Sequence, residues 1–139
     1  MRYDTTKRNI NWNGFNEAKQ YIEKRAKVDE FGNGECKIMH NTRAELISPN
    51  FLSGGKVGIV LHWTEIYSIR KHHDVGNEFP HSVIQLDSGG HRTVTTKDRI
   101  NRFLPLGYRL FQKDWNWYID TPSGTIDFVD GMEIKLESF

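Results

Sequence analysis

The 139 residues fit one packed domain, and eight Phe, five Tyr and four Trp make the chain too aromatic to be disordered. Nineteen Lys plus Arg against eighteen Asp plus Glu leave a net charge of +1, which excludes a global pull toward polyanions or membranes, so any basic site must be local. The single cysteine, Cys36, excludes an intramolecular disulfide and a multi-cysteine zinc site and argues for a reducing compartment.

Residues 1–12 carry no periodic pattern and no apolar secretory run, and read as a flexible arm ahead of one domain over 13–139. Phe15, Ala18, Ile22 and Ala26 recur at near-helical spacing and predict an amphipathic helix over 13–26, ended by the loop sequence FGNGE at 31–35. Beyond it the period changes to two. Residues 37–47 predict one strand, closed by Ser48-Pro49-Asn50. KVGIVLHWTEIYSIR reads as another, with Val57, Ile59, Leu61 and Trp63 on one face and a bulge or a doubly covered end near Trp63–Glu65.

HSVIQL gives a further strand, entering a turn at Gly89-Gly90. A second helix follows, with Thr95 as N-cap, Asp98 three residues on, an apolar side of Ile100, Phe103 and Leu104, and a stop at Pro105 and Gly107. Residues 108–112 and 116–120 predict a hairpin around Lys113-Asp114. TIDFVDGMEIKL predicts another, because Asp130-Gly131 between apolar-rich runs signals a type I′ turn. The expected fold is α+β, a single domain of about seven mostly antiparallel strands with two helices. No run approaches the roughly 18 apolar residues of a membrane span, so the expectation is a soluble cytoplasmic protein without membrane contact.

The densest polar chemistry lies in SGGHRTVTTKDRIN at 88–101. A helix start exposes N–H groups and a partial positive charge, and glycines allow close backbone approach, so Arg92, Thr95, Thr96, Lys97, Arg99 and Arg102 are candidates for binding an anion or a nucleic-acid backbone. The segment lacks the Gly-Lys-Thr/Ser close of a phosphate loop. A structural account competes: a turn, a capped helix and the solvated side of that helix, with Asp98 partly neutralising the cations.

The six histidines form no zinc motif. His72-His73 would point to opposite faces of an extended chain, so no metal or other cofactor is expected. His40 and His62 fall in the middle of neighbouring predicted strands and could meet as an acid–base pair near His91, the basis for a histidine-dependent nuclease or phosphodiesterase. Trp115 and Tyr118 are candidates for aromatic contact with single-stranded nucleic acid, being interleaved with Arg109 and Lys113. Strand alternation puts Trp115 and Trp117 on one face and Tyr118 on the other, so at least one ring belongs to the core, while an exposed Trp115 suits a protein contact.

Read in order, MHNTRAEL, VLHWTEIYSI, IQLDSGGHRTVTTKDRIN and GYRLFQKDWNWYI resemble a group of small proteins of tailed bacteriophages, over about residues 38–119. The Thr-Thr-Lys run is the most specific part. That resemblance implies a phage protein acting in the bacterial host cytoplasm and supplies no catalytic residues. With no catalytic constellation in view, the leading expectation is a non-enzymatic accessory binding protein. Its partner would be nucleic acid, a nucleotide-like anion or a host protein, in host takeover or defence inhibition. A hydrolase and a virion or assembly component are the alternatives.

Overall fold

The structure, a computed structural model, describes residues 9–48, 55–72 and 81–136. Runs rich in Val, Ile and Leu build strands β1 (Gly34–Met39), β2 (Thr42–Ile47), β3 (Lys56–Leu61), β4 (Thr64–His72), β5 (His81–Leu86) and β9 (Met132–Leu136). These six form one antiparallel sheet in the order β1-β2-β3-β4-β5-β9. Strands β6 (Arg109–Lys113), β7 (Asn116–Thr121) and β8 (Gly124–Asp127) form a second antiparallel sheet in sequence order. With helices α1 (Phe15–Arg25) and α2 (Val94–Phe103), the described residues make a single α+β domain of two helices and nine strands.

Period-two alternation sorts the large sheet into a core face and an outer face. Ala44, Leu46, Val57, Ile59, Tyr67, Ile69, Ile84 and Leu86 are all buried on the inner face. The outer face carries ion pairs, Arg43 with Glu45, Lys56 with Glu65 and Arg70 with Glu133. Against the inner face α1 lays Phe15, Ala18 and Ile22, and α2 lays Ile100 and Phe103. Each large side chain buried this way stabilises the fold by about 1.5–3 kcal/mol. The small sheet adds Leu110, Trp117 and Ile119 to the same core. Burial also raises two pKa values: that of the Tyr67 phenol, whose oxygen has no hydrogen-bond partner among the described residues, and that of the Cys36 thiol, where nearby Arg25 opposes the desolvation only in part.

Four local expectations are corrected. Residues 37–47 are not one strand but the hairpin β1–β2, turning at His40-Asn41, and 56–70 is the hairpin β3–β4, turning at His62-Trp63. Neither turn carries glycine; Asn41 and His62 themselves adopt φ of 54° and 55°. A bulge does exist in the second hairpin, with Ile66 of β4 as the extra residue opposite the Ile59–Val60 step of β3. Asp130-Gly131 does not join a hairpin, because β8 pairs with β7 while β9 pairs with β5, so this turn carries the chain from one sheet to the other. The N-cap of α2 is Thr93 rather than Thr95: its side chain accepts the Thr96 N–H at 3.1 Å, starting the helix earlier than the Thr95–Asp98 spacing suggests.

Residues 10–12, assigned to the arm from sequence, are part of the fold. Ile10 and Asn11 N–H groups donate to the Arg102 carbonyl at 2.6 and 2.9 Å, and Trp12 N–H donates to that of Phe103 at 3.1 Å. The Asn11 side-chain amide donates to Leu104 O at 2.8 Å. This strap satisfies carbonyls that the C-terminal end of a helix leaves without intrahelical partners. It also buries Trp12 among Tyr21, Tyr67 and Phe103. Residues 1–8 of the expected arm lie outside the described residues.

Candidate functional site

Strand register gathers several connections at one end of the molecule. The β1–β2 and β3–β4 turns are neighbours there, joined by His62 N–H donating to Asn41 O at 2.8 Å. The loop after β5 reaches the same end, with Asp87 N–H on Ile66 O and both Ser88 N–H and Ser88 Oγ donating to Asp130 Oδ1 at 2.7 Å. Helix α2 begins at this end and runs antiparallel to β6: Lys97 lies opposite Gln112, while the Asn101 side chain both donates to and accepts from the Leu110 backbone at 2.8 Å. The β6–β7 turn, Asp114-Trp115, is therefore brought to the same end as the start of α2.

The cations that cluster in sequence separate in space. Arg99 and Arg102 both pair with Asp98, their side chains only 16% and 13% exposed, and Arg99 Nε also donates to Thr42 Oγ1 at 3.1 Å. Arg99 thereby joins the helix to the sheet. Arg92 lies over the rings of Trp117 and Phe128, 5.6 and 5.2 Å from their centres, and Lys97 lies 5.9 Å from the Trp117 ring. Of the two threonines, Thr96 is buried and shares a hydrogen with Thr93 at 3.0 Å, whereas Thr95 is exposed. Gly89 and Gly90 have φ of 64° and 81°, and a Cβ on Gly89 would come within 2.7 Å of the Thr64 side chain. The close approach permitted by that glycine is thus to Thr64.

Between the β3–β4 turn and the first turn of α2 lies a cleft of about 510 Å³. Leu61, Ile66 and Trp63 give it apolar surface. Hydroxyls come from Thr64, Ser88 and the threonines of α2 and its cap, and imidazoles come from His62 and His91. A smaller cleft of about 310 Å³, bordered by Lys37, Thr42 and Arg43, lies on the other side of the same turn, so His62-Trp63 stands between the two.

His40 and His62 do not occupy strand centres; both sit on turn tips and are exposed. His62 and His91 share the larger cleft, while His40 borders neither one. His72 faces His81 across β4 and β5 with ring centres 5.2 Å apart; His73 and Asp74 lie outside the described residues. Among the described residues no three His, Cys, Asp or Glu side chains form a metal-holding group, and no helix is long and apolar enough to cross a membrane.

Trp115 does not alternate with Trp117 along a strand. It occupies the turn itself, at φ 70°, and is 89% exposed, while Trp117 is buried and Tyr118 packs on Phe111 at 5.7 Å. Sequence reasoning missed Trp63, which is 92% exposed, and Val94, at the first turn of α2 and 78% exposed. The signal for Trp63 was length: the 15-residue run containing it exceeds the roughly 3–10 residues of an ordinary strand, which calls for a turn inside it.

Fold and site together define a small α+β protein that presents aromatic side chains on turn tips at one end of the molecule. Residues 16–135 match the model of the Kyanoviridae Gp96 protein family, and the chain belongs to that family of tailed bacteriophages. The phage origin implied by the sequence resemblance therefore holds. No curated protein and no solved structure shows a significant match.

Proposed function

We propose that this phage protein is a non-enzymatic binding protein that engages a host protein in the bacterial cytoplasm through the end bearing Trp115, Trp63 and Val94, so as to redirect or inhibit it. The observation that carries this reading is the backbone of Trp115, at φ 70° in a tight turn and 89% exposed. That conformation favours Gly, Asn or Asp and disfavours a bulky ring, and the ring gains little burial in return. A strained, solvent-facing tryptophan is well suited to anchor a protein interface.

A protein partner fits better than a polyanion. Arg99 and Arg102 are engaged by Asp98 and Arg43 by Glu45, while Lys37, Arg92, Lys97 and Lys113 share this end with Asp87, Asp114 and Asp130. Nucleic-acid backbones instead select uncompensated Lys and Arg. One observation favours a second, hydrolytic reading: His62 and His91 line one cleft. Among the described residues no Asp or Glu lines that cleft to orient either ring.

Affinity capture from host lysate, with and without nuclease, compares the wild type with Trp115→Gly and Trp63→Ala. The reading expects one protein retained after nuclease treatment and bound about thirtyfold or more weakly by Trp115→Gly. Recovery of nucleic acid that elutes with rising salt, or a partner held equally by both variants, overturns it.

A further inference from the structure

The cleft behind Trp63 poses a question separate from the protein contact, and its chemistry is selective. Its volume of about 510 Å³ falls within the roughly 300–1,000 Å³ of small-molecule sites. Among the described residues no Asp, Glu, Lys or Arg lines it, so a charged group entering it would lose hydration without meeting a counter-charge from them. Leu61 and Ile66 offer apolar contact and Trp63 an indole.

The polar groups fall into two sets. Ser88 and Thr96 are committed within the protein, Ser88 Oγ to Asp130 at 2.7 Å and Thr96 to Thr93 at 3.0 Å. The side chains of Thr64, Thr95, His62 and His91 make no hydrogen bond or ion pair with another described residue. They form a donor and acceptor set without a partner, beside an apolar surface.

We infer that this cleft is a binding site for an uncharged, planar heteroaromatic ring of the nucleobase type, held against Trp63 and read along one edge by Thr64, Thr95, His62 and His91. The polar count decides against a sugar. A hexopyranose presents about five hydroxyls, each a donor with two acceptor sites, more than four side chains can satisfy. A base edge presents only about two to four polar positions and leaves its faces apolar. The inference goes beyond the protein contact and does not depend on Trp115.

Isothermal titration of the purified chain with adenosine, guanosine, cytidine and uridine, and with glucose for comparison, tests it. At least one nucleoside binds saturably, and its monophosphate binds no more tightly, because no Lys or Arg among the described residues lines the cleft. Trp63→Ala weakens that binding at least about tenfold. Thr95→Val, at an exposed position, weakens it several-fold with an unchanged thermal transition, which separates lost contact from lost fold. Trp115→Gly leaves it intact; since that variant tests the protein contact, loss of one activity without the other identifies which reading has failed. Absence of saturable binding to the folded wild type at millimolar nucleoside, equal binding by Trp63→Ala, or preference for glucose overturns the inference.

Discussion

The two ends of α2 are built on opposite plans. At its C-terminal end, backbone from residues 10–12 covers the last carbonyls, Asn101 is locked to Leu110, and Phe103 packs on Trp12 and Tyr67. At its N-terminal end one side chain, Thr93, caps the helix, and Val94 and Thr95 face outward beside the cleft. Polar groups at the closed end are spent inside the protein, whereas apolar groups at the open end are presented to solvent. The inversion teaches that charge density along a sequence is a weaker guide to a site than what each charge is paired with.

Substitutions at the two ends can break or sharpen that contrast. The largest effect belongs to Phe103→Ala, which empties the space against Trp12 and Tyr67 and should lower stability by about 3–5 kcal/mol in urea titrations. Asn101→Ala leaves the Leu110 backbone groups without their side-chain partner and should cost about 1–3 kcal/mol by the same measurement. At the open end, Thr93→Ala should cost only about 1 kcal/mol; a loss matching that of Phe103→Ala would show that this end is as tightly built as the other. The smallest effect is expected of Trp115→Gly, whose stability should stay level or rise by up to about 1 kcal/mol as the left-handed backbone is relieved, read as an unchanged or higher thermal midpoint.

Much of the architecture was legible from periodicity: both helices, the antiparallel strands and the class follow from apolar spacing. Strand number was undercounted because the turns at His40-Asn41 and His62-Trp63 lack the Gly and Pro that usually mark a reversal, Asn41 and His62 adopting positive φ on their own. Three threonines close together, Thr93, Thr95 and Thr96, each offer a hydroxyl for capping, and local pattern alone does not choose among them. The fate of Arg102 was partly readable, since Asp98 stands four residues before it, a spacing at which helical side chains meet, whereas the adjacent Asp98–Arg99 pair does not follow from helix spacing. The exposed position of Trp115 followed from turn geometry, which moved the reversal one residue beyond the expected Lys113-Asp114. The cleft was not readable, since it forms where the β3–β4 turn meets a helix much later in the chain.

The passage of the chain from β8 to β9 bears on how the protein is made. Strand β9 is the last described element in sequence, yet it pairs with β5, laid down before α2 and the whole of the small sheet. As the chain emerges in order, β5 therefore keeps an unpaired edge until the segment beginning at Met132 arrives. Such an edge is a template for pairing with other chains. Closing it late joins residues distant in sequence, which slows folding. Synthesis halted before Met132 would leave the β5 edge open, whereas the short strand β9 covers β5 and takes over as the edge of the large sheet.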